Sequence, residues 1–341
     1  MKIGVLTGGG DCPGLNAVIR AVVRRSSSFG YEVLGIQQGW LGLVEGSVIP
    51  LTNYSVTGIL TRGGTIIGTA RKNPLKTEED KQKLIDNYKS FGLDALIAIG
   101  GEDTLGVAAK LYTMGFKIVG VPKTIDNDIP FTDYTFGFDT AVSIATEAID
   151  RLHSTAEAHR RVMVVEVMGR HAGWIATVAG IAGGADNILI PEIPFDIEEV
   201  CRSISNRIKK GKAFSLLVVA EGAKPKDGSL VAQESSVDDF GHIRLGGISY
   251  HIAREIEKRT GIETRVAVLG HIQRGGTPTA FDRVLATRYG IAAVDLITNK
   301  EFGKMVTFSG NQISSIMLSD IIGKQKNIDM KLYDVAKVFF G

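Results

Sequence analysis

Short apolar runs that alternate with longer amphipathic stretches constrain what this chain folds into. The runs lie at 2–7, 31–36, 95–99, 118–121, 162–167, 187–190, 215–219 and 265–269. Stretches of helical period follow most of them, at 14–28, 77–91, 104–114, 139–156, 173–182, 197–210, 247–259 and 280–297. Strands that are apolar on both faces need cover on both, and a helix after each strand supplies it. The pattern therefore predicts an α/β fold of βαβ units with parallel, double-sided sheets. At 341 residues the chain is long enough for two domains. Several runs stop at glycine: Gly8-Gly9-Gly10, Gly100-Gly101, Gly169 and Gly270. Ligands of open α/β sheets gather at the carboxyl ends of strands, so these turns are candidate binding positions. A tight turn explains any one of them equally well.

Charge and cysteine usage narrow the class. With 39 basic and 37 acidic residues the net charge is +2, which demands no nucleic-acid face, although local basic clusters could still hold small anions. No stretch approaches the ~18 apolar residues of a membrane span. The amino-terminal apolar run is broken by glycine too soon for a signal peptide. Cys12 and Cys201 offer neither a disulfide framework nor a metal cluster, so a reducing, cytoplasmic setting is expected. Residues 222–245 are polar, of mixed charge and without period, and read as a surface insertion.

The chemistry concentrates in a few runs. Pro122-Lys123-Thr124-Ile125-Asp126-Asn127-Asp128 sets an ammonium, a hydroxyl and two carboxylates within seven residues. One carboxylate suits removal of a proton from an attacking hydroxyl, a second suits Mg²⁺, and an ammonium neutralises phosphate charge. The first glycine turn continues as Asp11-Cys12-Pro13-Gly14, with Pro13 placed to open a helix whose N-terminus favours an anion. It is neither a G-x-G-x-x-G nor a Walker A pattern. Arg62-Gly63-Gly64-Thr65, followed by Arg71-Lys72, suits forked phosphate contacts or else a solvated loop. Gly100-Gly101-Glu102-Asp103 puts two acids at a strand-to-helix turn, where the helix macrodipole alone accounts for one of them. Further on come Arg161, Glu166-Val167-Met168-Gly169-Arg170-His171, Glu221-Gly222, and Arg265 with Gly270-His271-Ile272-Gln273-Arg274. Arg265, His271 and Arg274 together could hold a phosphate monoester.

All these runs, in this order, resemble the 6-phosphofructokinase family over residues 1 to about 300. GGGDCPGLN, RGGT, PKTIDND, VVEVMGR and GHIQRGG carry the resemblance. It implies two doubly wound, Rossmann-like α/β domains with the active site in the cleft. The expected division is 1–139 plus 273–322 for the phosphoryl donor, and 140–272 plus 323–341 for fructose 6-phosphate. It implies Mg²⁺ as cofactor and a homodimer or homotetramer with shared sites, with no nucleic acid and no membrane as partner. Asp126 resembles the general base, with Thr124 and Asp128 beside it at the transferring phosphoryl group and its metal. Gly10, Asp11, Arg71, Gly101 and Asp103 match donor positions, and Glu102 matches the metal position. Met168, Gly169, Arg170 and Glu221 match sugar contacts, and His271 and Arg274 match ligands of the 6-phosphate. Arg161 and Arg265 match phosphate ligands that reach in from a neighbouring subunit.

Two positions depart from the best-known ATP-dependent members, which carry glycine where this chain has Asp103 and Lys123. An aspartate at the turn facing the nucleotide adds bulk and a like charge. The pair resembles the pyrophosphate-dependent branch, whose compact donor needs positive charge but no nucleoside pocket. The expected reaction is reversible transfer from pyrophosphate to the 1-hydroxyl of fructose 6-phosphate, in glycolysis or gluconeogenesis. Competing readings are an ATP-dependent 6-phosphofructokinase, a lipid or dinucleotide kinase sharing the GGEDT turn, and a metabolite-binding module without turnover. Arg20 and Arg24 match effector-site residues of allosteric members, but Asn53 and His153 replace two others, so weak or no nucleotide allostery is expected.

Overall fold

The structure is a computed structural model and describes residues 1–228, 232–237, 239–240, 243–245 and 247–340. Its strands are β1 (Lys2–Thr7), β2 (Glu32–Ile36), β3 (Val48–Leu51), β4 (Ala95–Gly100), β5 (Ile118–Pro122), β6 (Val162–Val167), β7 (Asn187–Leu189), β8 (Ser215–Ala220), β9 (Ala232–Val237), β10 (Ile243–Leu245), β11 (Thr264–Val268), β12 (Lys304–Ser309) and β13 (Gln312–Met317). Its helices are α1 (Leu15–Ser28), α2 (Trp40–Glu45), α3 (Glu78–Ser90), α4 (Glu102–Thr113), α5 (Phe138–His159), α6 (Trp174–Ala182), α7 (Ile197–Lys209), α8 (Ile248–Thr260), α9 (Ala280–Thr298) and α10 (Met330–Lys337). No described helix is long and apolar enough to cross a membrane.

Two sheets organise these elements. The larger runs β13-β12-β5-β4-β1-β2-β3 and the smaller β11-β6-β8-β7. Every residue of β4, β6 and β8 is buried, which is why these strands read as unbroken apolar runs. All pairings in the smaller sheet are parallel, as expected. The larger sheet corrects the expectation of wholly parallel sheets: β3 pairs antiparallel with β2, and β13 antiparallel with β12. The β12–β13 hairpin turns on Gly310-Asn311, both at positive φ (53° and 67°), a turn that matches the right-handed twist of its strands. Residues 222–245, read as a surface insertion, contain the antiparallel pair β9 and β10. Positions 229–231, 238, 241 and 242 of that stretch lie outside the described residues.

Chain order creates the binding position. From the central strand β1 the chain passes to β2 on one side, and β4 lies hydrogen-bonded on the other. The turns after β1 and β4 therefore diverge and leave a crevice at their carboxyl ends. In the smaller sheet β6 and β8 are neighbours, so the loops after them also lie side by side.

Candidate active site

One pocket joins these ends. One wall comes from Gly9, Gly10 and Asp11 after β1, from Gly101, Glu102 and Asp103 at the start of α4, and from Arg71. Lys123, Thr124, Asp126 and Asp128, after β5, form its floor. Arg170 and His171 after β6, Glu221 after β8, and Arg274 close the other side. Thus thirteen of the expected site residues share one cavity: Gly10, Asp11, Arg71, Gly101, Glu102, Asp103, Lys123, Thr124, Asp126, Asp128, Arg170, Glu221 and Arg274.

The glycines have specific reasons here. A Cβ on Gly8 would stand 2.5 Å from Thr104 Oγ1, and one on Gly100 would stand 2.3 Å from Thr104 Cβ. Thr104, on the first turn of α4, fills the gap between the two strand ends and lines the pocket. A Cβ on Gly10 would fall 2.9 Å from Arg274 Nη1, so the bare backbone admits that guanidinium. Gly222 abuts the Arg170 carbonyl, which ties the Glu221 turn to the loop after β6. Its N–H donates to Gly169 O at 3.1 Å.

The carboxylates stand in a dry, crowded setting. Asn127, at φ 51°, turns the chain between Asp126 and Asp128. Asn127 is itself fixed by Thr135 N donating to its Oδ1 at 3.0 Å and by its Nδ2 donating to Asp133 O at 3.2 Å. Burial, then the nearby Asp128 and Glu221 charges, push the Asp126 carboxyl up to about 7, against the pull of Arg274 and Arg170. Burial also raises Asp128 and Glu221. Asp126 Oδ1 is buried and has no hydrogen-bond partner among the described residues, leaving a lone pair for a ligand's hydroxyl. Lys123 is buried and donates to the Gly10 carbonyl, and burial lowers its pKa. A buried ammonium beneath a glycine turn favours an anion arriving there.

Five expected residues are not in the pocket lining. Met168 and Gly169 lie just behind it: Met168 N donates to Gln273 Oε1 at 3.3 Å, and Gly169, at φ 134°, lies where a Cβ would stand 2.8 Å from Ala172 O. His271 is exposed on the 3-10 turn Gly270–Arg274, whose Arg274 reaches inward. Arg161 and Arg265 sit at the amino ends of β6 and β11, sharing Glu263 at 3.2 and 2.5 Å. Arg161 precedes the six residues of β6, roughly 20 Å from the carboxyl end of that strand, and Arg265 is second in β11, roughly 10 Å from its end; neither lines the pocket of its own chain. Two lining residues escaped sequence reasoning. Thr104 was signalled only by the glycines that make room for it. Phe240, the one Phe, Trp or Tyr in 222–245, comes to the pocket beside Asp239, which pairs with Lys76 at 2.9 Å.

No three His, Cys, Asp or Glu among the described residues converge so as to hold a metal unaided. Glu102, Asp103 and Asp128 line the pocket, and one or two carboxylates with phosphate oxygens and water are the donor set that Mg²⁺ takes. Near the effector-like positions, Arg24 Nη2 donates to Asn53 O at 3.3 Å, while His153 is held by Gly183 O at 2.7 Å.

Comparison with known proteins converges on the same chemistry. The family model described as phosphofructokinase matches residues 2–297. The chain is 57% identical over the full length of both chains to a Streptomyces coelicolor protein named pyrophosphate–fructose 6-phosphate 1-phosphotransferase. It is 54% identical, also over both full lengths, to a Mycobacterium tuberculosis protein named ATP-dependent 6-phosphofructokinase. Among solved structures, the Pichia pastoris phosphofructokinase in the T-state superposes with a TM-score of 0.83 at 34% identity; 99% of this chain is covered, spanning 38% of that longer one. With the match running across both sheets and every turn that builds the pocket, the chain belongs to the phosphofructokinase family.

Proposed function

We propose that the protein transfers a phosphoryl group from pyrophosphate to the 1-hydroxyl of fructose 6-phosphate, giving fructose 1,6-bisphosphate and phosphate. The observation that supports this reading is the single pocket that gathers Asp103, Lys123 and Asp126. Asp126 accepts the proton of the sugar hydroxyl as that oxygen attacks. Lys123 and Arg71 surround the donor with positive charge, the arrangement that stabilises a transferring phosphoryl group. Arg170 and Glu221 hold the sugar, with Met168 and Gly169 shaping the backbone behind it. Glu102 and Asp128 would hold Mg²⁺ together with the donor's oxygens; bound there, the ion neutralises phosphate charge. Residues 1–139 with 273–322 serve as the donor half, and 140–272 with 323–341 as the sugar half. His271, Arg274, Arg161 and Arg265 serve as ligands of the sugar 6-phosphate, the last two arginines in a neighbouring subunit's site, within a homodimer or homotetramer. The two buried free cysteines fit a cytoplasmic setting.

The second reading is ATP as donor, favoured by the identity to relatives named ATP-dependent. Initial rates with fructose 6-phosphate and Mg²⁺, pyrophosphate and ATP in parallel, decide between them. Turnover with pyrophosphate alone is expected; turnover with ATP alone would overturn the donor assignment and keep the sugar site.

A further inference from the structure

We propose that Lys326 is a positioning residue for phosphoryl transfer, clasping the loop that carries Asp126 and Asp128 to the start of α6. The inference rests on the phosphoryl-transfer reading above. Lys326 lies outside the pocket, in the segment between β13 and α10. On one side it supplies three hydrogen bonds to a single loop. Its N–H donates to Asp128 O at 2.9 Å, and its ammonium donates to Thr132 O at 2.9 Å and Asp133 O at 2.6 Å. Lys324 adds a contact to the same loop, its ammonium 5.0 Å from the Phe131 ring centroid.

On the other side the same segment grips the smaller-sheet half. Trp174 Nε1 donates to Lys326 O at 3.1 Å, and the Lys326 ammonium lies 4.7 Å from the Trp174 ring centroid. Ile328 N donates to Glu192 Oε1 at 3.0 Å, and that carboxylate also accepts from Gly173 N. Gly173 and Trp174 end the loop that brings Arg170 and His171 into the pocket. The segment thus spans from the transfer carboxylates to the sugar loop through hydrogen bonds at every junction.

The loop needs such a hold. Asn127 and Phe131 both sit at positive φ, 51° and 64°, a conformation that non-glycine residues keep only where their surroundings impose it. An ammonium suits the task because it has three donors and no acceptor, so two carbonyls and a ring face are served at once. Lys326 does not line the pocket, so losing it should leave binding intact and spoil the alignment of the reacting atoms.

The test is steady-state kinetics of the full chain with whichever donor the wild type uses, with melting curves for each variant. Lys326→Met is expected to lower kcat by about tenfold or more, with both KM values within about threefold of wild type, since small misplacements cost that much. Lys326→Arg, which keeps charge and donors, should recover most of the loss. Trp174→Phe, which keeps the ring and removes the indole donor, should lower kcat by a few-fold in the same manner. A Lys326→Met kcat within twofold of wild type overturns the clasp. So does a loss that Lys326→Arg fails to recover, or one that matches the unfolded fraction at the assay temperature. Should Lys326→Met not fold, an unchanged kcat in Trp174→Phe overturns it. A wild type without turnover on either donor removes the transfer reading and the clasp with it, whereas an active wild type beside an unaffected Lys326→Met removes the clasp alone.

Discussion

Asp126 shows how burial converts an ordinary carboxylate into a base suited to neutral pH. Desolvation and two neighbouring acids raise its carboxyl, while the Arg274 and Arg170 charges limit the rise. A base works only when ionised, so activity should fall as pH drops through the raised value. We expect kcat/KM, which reports the free enzyme, to show an acidic limb near 7 rather than in the usual carboxylate range. A limb below about pH 5 would remove Asp126 from that role. Asp126→Asn should cut turnover by about 10²–10⁴-fold while the sugar phosphate still binds, measured by kinetics and by titration calorimetry. Asp103 tests donor choice. It lines the pocket on the first turn of α4, and removing its bulk and charge should favour a larger donor. Asp103→Gly should raise the ATP-to-pyrophosphate rate ratio by about tenfold or more, equivalent to about 1.4 kcal/mol. An unchanged ratio sinks the steric and electrostatic argument for that residue.

At the scale of elements, the site depends on helices that cap one another across the fold. Helix α5 starts after Gly137 with no side-chain cap of its own. Asp282 on α9 supplies it, accepting from Thr140 N at 2.8 Å and Thr140 Oγ1 at 2.6 Å. In return Thr279, which caps α9, donates to Asp139 Oδ2 at 2.6 Å. Asp282→Ala would strand the Thr140 donors, so we expect a loss of about 1–3 kcal/mol by chemical or thermal unfolding. Asp282→Asn keeps an acceptor and removes a buried charge, so it should stay within about 1 kcal/mol of wild type. Burial pushes the Asp282 carboxyl up to about 6, above its unfolded value. The folded state therefore holds that proton more tightly, and wild type loses stability as pH rises from about 4 to about 6. The Asn variant should gain on wild type across that window; a constant difference would mean Asp282 does not titrate there.

This mutual cap was illegible in the sequence because its partners lie 142 positions apart. The eight main strands and their helices were legible because most bury a continuous or periodic apolar face that residue order displays; β11, only partly buried, was legible from its apolar run. The β12–β13 hairpin was missed although Gly310-Asn311 signals it, since its outer strand alternates weakly and lies at an edge. Within the site, the residues on strand-end turns could be read from glycine and charge. Thr104 stood in the GGEDT turn without a role, and Phe240 and Lys326 could not be read because each acts through neighbours remote in the chain rather than through a local pattern.

The whole molecule raises the matter of the two arginines that stand away from their own pocket. Arg161 and Arg265 converge on Glu263 at the amino ends of β6 and β11, where Arg265 also pairs with Glu257 at 3.7 Å. Arg161 Nε is buried without a partner among the described residues, and Arg265 remains more than half exposed at its side chain. A patch so built suits an anionic group brought against it by another subunit. His271, exposed on the turn that presents Arg274, is the matching element on the pocket side. If sites are shared, a chain lacking Arg161 and a chain lacking His271 each fail in a homo-oligomer. A mixed oligomer contains some sites with both groups intact. Arg161→Ala and His271→Ala chains, each inactive alone, should therefore regain a fraction of wild-type turnover after dissociation and reassembly together. Mixed oligomers verified by native mass spectrometry that show no recovery would place both residues' effects within one chain, and would assign Arg161 and Arg265 to their ion pairs with Glu263 and Glu257.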